Sequence, residues 1–118
     1  MLLNDGVLED VRILQPKTVQ WMAGGQLNAT GKADLQRWST ERLSGYNYSF
    51  FNRVLEEEGR AMSLGTAGEY GWDGWLGTYY MNDPKNRLTL LLFSQVPGAG
   101  NTRTVRRVRN VVLGALCR

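Results

Sequence analysis

Up to Gly45 the apolar residues recur at helical spacing; from Tyr46 they alternate with polar ones. Residues 1–3 read as the tail of a helix ended by Asn4-Asp5-Gly6, and residues 7–14 as a connector. Pro16 opens a short helix reaching Met22, because a first helical position has no use for the N–H that proline lacks. Val19, Trp21 and Met22 form its apolar side, and Gly24-Gly25 stop it. A second helical piece is expected over 32–42, with Leu35, Trp38 and Leu43 turned inward.

After Gly45, Tyr46, Tyr48, Phe50 and Val54 fall on one side of a half-buried strand. Glu56-Glu57-Glu58-Gly59 reads as a solvated turn. Residues 70–80, aromatic and glycine-rich, make one bent strand or two short ones. Asp83-Pro84-Lys85-Asn86 fits a type I turn, which favours Asp first and Pro second. The strand at 87–95 contains Leu90-Leu91-Leu92-Phe93, apolar on both faces, so cover is expected on each side. Pro97-Gly98-Ala99-Gly100 breaks the sheet, and Asn101 or Thr102 caps a closing helix. In that helix Val105, Val108, Val112, Ala115 and Leu116 share one face, with Arg103, Arg106 and Arg107 opposite. The pattern predicts an α+β fold: a three-stranded antiparallel meander with short N-terminal helices and a C-terminal helix. All of 1–118 forms a single domain, helical over 1–45, sheet over 46–95 and helix over 101–117.

Composition narrows the chemistry. The chain has 118 residues, 42% hydrophobic and 21% charged, with a net charge of +3. That charge is too small to argue for nucleic acid, and Arg103, Arg106, Arg107 and Arg109 read as a solvated helix face. No apolar run approaches a membrane span. No basic or apolar leader pattern opens the sequence, so a cytoplasmic location is the default and the start reads as the middle of something larger. A single cysteine, Cys117, rules out a disulfide within the chain. The absence of histidine removes Ser-His-Asp and Cys-His mechanisms and the common zinc sets. No cofactor is expected.

The stretch from Tyr70 to Pro84, with Gly71-Trp72-Asp73-Gly74, Gly77-Thr78-Tyr79 and Asp83-Pro84 in that order, is similar to a segment of the β-lactamase-related serine hydrolases. That family takes in class C β-lactamases, low-molecular-weight penicillin-binding proteins and related esterases. There, a strand bearing a Lys-Thr-Gly, His-x-Gly or Trp-x-Gly triplet edges the active site. A Gly-Thr-Tyr strand, an Asp-Pro turn, a hydrophobic strand ending near Gln and a terminal helix follow it. Ser94-Gln95 and the helix from Val105 to Leu116 continue the resemblance. Gly45-Tyr46 and the N-terminal segments Met1 to Gly6, Val11 to Leu14 and Pro16 to Val19 agree as well. The resemblance implies a partial β-lactamase/transpeptidase-like fold with Trp72, Asp73, Gly74 and Trp75 at the substrate side. The Trp75 N–H would stand nearest the oxyanion-hole role.

Two departures limit what carries over. Trp72 stands where the penicillin-recognising triplet has lysine, and no Ser-x-x-Lys occurs in the sequence. Without a nucleophile and its activating partner, covalent catalysis has no first step. The expectation is a truncated or fragmentary hydrolase, inactive alone. The alternative is a non-enzymatic module binding a small molecule on Trp72, Trp75, Tyr79 and Tyr80, such as a glycan or peptidoglycan-like ligand, or a self-associating structural domain. In the family the strand equivalent to 87–95 pairs with N-terminal strands that have no counterpart here, so a homodimer through that sheet edge is expected. Neither nucleic acid nor membrane is expected as a partner.

Overall fold

The computed structural model describes residues 1–39, 42–98 and 102–116. A 3-10 turn, Leu2–Asn4, leads into a two-stranded hairpin of β1 (Val7–Leu8) and β2 (Val11–Arg12). Helices α1 (Pro16–Ala23) and α2 (Ala29–Trp38) follow. Five strands then run in sequence: β3 (Tyr46–Ser49), β4 (Asn52–Leu55), β5 (Tyr70–Asp73), β6 (Tyr79–Asp83) and β7 (Leu88–Leu92). Helix α3 (Arg103–Gly114) closes the chain. The sheet order is β3-β4-β5-β6-β7, antiparallel throughout.

The expected three-stranded meander is therefore corrected to five strands plus a separate two-stranded hairpin. The strand read from Tyr46 through Val54 doubles back, with Ser49 opposite Asn52. The two residues between them, Phe50 (φ 35°) and Phe51 (φ 62°), are both left-handed. Two-residue hairpin turns of this hand are normally announced by Asn-Gly or Asp-Gly, so two phenylalanines conceal it. Phe50 is held by Trp21, ring centroids 4.4 Å apart, whereas Phe51 is 80% exposed. A left-handed backbone costs an L side chain about 1–2 kcal/mol, so Phe51→Gly should stabilise the protein. A rise of about 4 °C in melting temperature is expected in thermal circular dichroism. The connector at 7–14 likewise hides a hairpin, turned by Glu9 and Asp10, both at positive φ.

The helices begin where their caps allow. Pro16 occupies the first turn of α1, and the Asn28 side chain accepts from the Gly31 N–H at 3.0 Å to start α2. Helix α2 thus begins earlier than expected and ends at Trp38, whose side chain is 73% exposed instead of turned inward. Asn47 ties the α1–α2 linker to the sheet. Its Oδ1 accepts from the Leu27 N–H at 3.0 Å, and its Nδ2 donates to the Leu27 carbonyl at 3.2 Å and to Glu56 at 2.8 Å.

Both hydrophobic clusters lie on one sheet face, while Val54 and Tyr70 are buried on the other, on which α1 and the Leu2–Asn4 turn approach β4 and β6. Cross-strand partners share a face, which places Arg53, Gly71, Met81 and Leu90 in one row. There Tyr79, Met81 and Val105 of α3 pack with Leu88, Leu90, Leu92 and Leu113. Leu43, Tyr46 and Leu55 gather with Leu35 of α2. The cover expected on both sides of Leu90-Leu91-Leu92-Phe93 exists on one: Leu91 and Phe93 remain 55% and 77% exposed.

Thr102 caps α3 by accepting from the Val105 N–H; Asn101, Ala99, Gly100, Cys117 and Arg118 lie outside the described residues. The solvated face assigned to the α3 arginines needs one correction. Arg109 is 1% exposed, because it falls between Val105 and Leu113 on the stripe that packs against the sheet. Ala115, placed on the inner face by its spacing, is exposed.

Candidate functional site

The site grows from the end of β5. Trp72 pairs with Tyr80 of β6, and Tyr80 with Leu91 of β7, so the three share the face opposite Met81 and Leu90. Together with Asp73, Gly74, Thr78 and Phe93 they line a groove of about 390 Å³. Trp72 also borders a second hollow of about 410 Å³, walled by Leu27, Leu35 and Trp38 of the α2 region and by Tyr48. The Tyr48 and Trp72 rings meet edge to face, centroids 5.4 Å apart at 75°. That is a geometry the aromatic quadrupole favours.

Polar groups fix the groove floor. The Tyr80 hydroxyl donates to Asn52 Oδ1. Burial pushes the Tyr80 phenol pKa up; Arg53 works against that and Tyr48 adds to it. Asp73 is held by an ion pair with Arg53, which is 2% exposed. Arg53 is itself sandwiched between the Tyr79 ring at 4.8 Å and the Tyr46 ring at 5.7 Å. Burial opposes its charge, but Tyr79, Asp73 and Tyr46 outweigh burial and the repulsion of Arg109, and the pKa moves up. Asp73 is thus a charge-neutralised support beneath the groove.

The triplet Trp72-Asp73-Gly74 comes together on this groove, whereas Trp75 points away and is 76% exposed. The Gly74 N–H donates to the Thr78 carbonyl at 2.7 Å, and the Trp75 carbonyl accepts from Gly98 at 3.0 Å. Among the described residues no backbone carbonyl accepts from the Trp75 N–H. The sequence reading missed Arg53, Asn52, Leu91 and Phe93. A charged residue inside Asn52-Arg53-Val54-Leu55 was the available signal for the first of these.

Tyr70, on the same strand, has a buried hydroxyl with no hydrogen-bond partner among the described residues. Burial, followed by Tyr80 and Asp5, pushes its phenol pKa up to about 12. The folded pKa lies above the unfolded value, so the stability tied to the neutral phenol is complete below pH 10 and is lost as pH rises toward 12. Tyr70→Phe removes the unsatisfied hydroxyl and should stabilise by roughly 1 kcal/mol. It should also flatten the alkaline limb of a stability-versus-pH curve measured by urea unfolding.

Among the described residues no three His, Cys, Asp or Glu side chains cluster to hold a metal, and no helix is long and apolar enough to cross a membrane. The groove offers aromatic walls, one threonine hydroxyl and a neutralised carboxylate. Its lining suits a flat or apolar group. Scans against protein-family models and against curated proteins return no match.

Proposed function

We propose that this chain carries the substrate-side sheet wall of a β-lactamase-related serine hydrolase scaffold and that, alone, it binds ligand without turning it over. The observation behind this reading is the setting of the Trp72-Asp73-Gly74 triplet. It ends a sheet strand at the rim of an aromatic groove, and the strand of Thr78-Tyr79-Tyr80 returns beside it. With no Ser-x-x-Lys and no histidine in the sequence, the groove retains recognition and lacks the acyl-transfer step. Incubation of the purified chain with a fluorescent penicillin and with an activated ester should leave it unlabelled. Covalent labelling would overturn the claim that it has no nucleophile.

A second reading is favoured by the row of Trp72, Tyr80 and Phe93 around the groove. Such a surface suits stacking against sugar faces, so a cell-wall glycan is its ligand class. Titration with cell-wall sugars, followed by tryptophan fluorescence, should give a saturable change that Trp72→Ala removes. A flat response across the series counts against it.

A further inference from the structure

Strand β7 is the last in the sheet and pairs with β6 alone, so its outer edge has no partner strand among the described residues. Soluble proteins ordinarily guard such an edge with lysine, proline or a bulge. Residues 88–96 contain no charge and no proline. Leu91 and Phe93 stand out from the uncovered face, 55% and 77% exposed. Beside the end of the strand, the Val96 N–H donates to the Leu76 carbonyl and the Gly98 N–H to the Trp75 carbonyl, each at 3.0 Å. Those bonds gather three more exposed side chains, Val96 (59%), Trp75 (76%) and Leu76 (49%), at the same margin. An unpaired hydrogen-bonding edge and an apolar patch therefore coincide.

We propose that a second copy of this chain docks there, β7 against β7, antiparallel about a two-fold axis near Leu91. A free strand edge is satisfied by another extended strand, and this strand is complementary to itself. With Leu91 opposite the partner's Leu91, Leu90 meets Leu92, Thr89 meets Phe93 and Arg87 meets Gln95, so like charges never face each other. The area is sufficient. A buried aromatic hides about 150–250 Å². Phe93, Trp75 and the three aliphatic neighbours of each copy then bring the two-copy total to about 1,000 Å², the lower threshold for a specific interface. The pairing also completes the groove. Trp72, Tyr80 and Leu91 form a cross-strand row that ends at the edge, and across the axis it continues into the partner's Leu91, Tyr80 and Trp72. What occupies the joined groove rests on the functional reading above; the pairing itself does not.

Light scattering at tens of micromolar should give twice the chain mass of 13.3 kDa. Leu91→Lys and Phe93→Lys, both at exposed positions, should return the monomer mass with an unchanged far-ultraviolet circular dichroism spectrum. Val111→Lys, at a 73% exposed position of α3, should stay dimeric. A monomeric parent chain, a dimer surviving both edge variants, or loss of the dimer in Val111→Lys each overturns the assignment. In a Cys117→Ser background, Leu91→Cys should form an intersubunit disulfide on mild oxidation, since directly opposed Cβ atoms lie about 4.5–5.5 Å apart. A dimer that does not crosslink overturns this register. A flat sugar titration on an intact dimer removes the ligand reading and leaves the pairing standing.

Discussion

Arg109→Ala should destabilise the fold by about 3–5 kcal/mol, the cost of leaving a buried charge without its partner. The arginine lies beneath the sheet and satisfies its donors one by one. Its Nη2 meets Glu69 Oε1 at 2.7 Å and donates to the Leu64 carbonyl at 2.7 Å. Its Nη1 donates to the Tyr79 hydroxyl at 2.6 Å, and its Nε to Ser63 Oγ at 3.0 Å. Glu69 is also 1% exposed and accepts from the Tyr46 hydroxyl at 3.1 Å and the Thr66 N–H at 3.2 Å. Burial disfavours the arginine's charge, yet Tyr46, Tyr79 and Glu69 more than offset it and its pKa rises. Burial, with Glu69 adding to it, likewise drives the Tyr46 phenol up, against the pull of Arg109 and Arg53. Removing the guanidinium strands the Glu69 carboxylate and the Tyr79 oxygen together. Urea unfolding of the variant should show the loss as a lowered midpoint with little change in slope.

The same reasoning separates the charge from the shape. Arg109→Met keeps most of the volume, and adding Glu69→Gln removes the stranded charge. The double variant should recover a substantial part of what Arg109→Met loses, because buried ion pairs contribute little net stability against well-packed neutral replacements. A double variant no better than Arg109→Met alone would mean that the arginine's bonds to Leu64, Ser63 and Tyr79 matter more than its pairing with Glu69.

These residues also show what was legible beforehand. The change of period at Tyr46, the proline start of α1, the Asp83 turn and the inward Val105 of α3 could be read, because each is written in side-chain type. The single side given to Tyr46, Tyr48, Phe50 and Val54 could not, since the strand doubles back and Val54 pairs with Asn47, on the face opposite Tyr46. The Asp83 carboxylate does accept from the Asn86 N–H at 3.1 Å. The Phe50-Phe51 turn could not be read, since its conformation opposes its residues and tertiary packing on Trp21 helps to hold it. Arg109 was readable in principle. Val105, Arg109, Val112 and Leu116 recur at helical spacing, so an arginine in the middle of an apolar stripe signalled a buried ion pair. Its three arginine neighbours on α3 masked that signal. The quartet Trp72 to Trp75, expected at the substrate side by resemblance, divides for a local reason. β5 ends at Asp73, and Trp75 lies in the 74–78 turn where pleat alternation no longer decides which way a side chain points.

Gly71→Ala should cost about 3 kcal/mol and, if the groove binds ligand as proposed, abolish that binding. A Cβ at Gly71 would lie 2.0 Å from the Tyr80 carbonyl oxygen and 2.8 Å from the Met81 Cα, both main-chain atoms of the neighbouring strand. No rotamer change relieves such a contact; β5 and β6 must move apart. That movement would weaken the pairing of Gly71 with Met81 and of Trp72 with Tyr80, which sets the groove's two aromatic walls. Gly59 provides the control, since a Cβ there meets nothing within 4 Å, and Gly59→Ala should change stability by less than about 1 kcal/mol. Thermal melts and fluorescence titrations of both variants distinguish the outcomes. Equal losses in the two would point to a general intolerance of glycine replacement. A loss confined to Gly71 would tie the groove to the close approach of these two strands, and so to the Gly71-Trp72-Asp73-Gly74 segment on which the hydrolase resemblance rests.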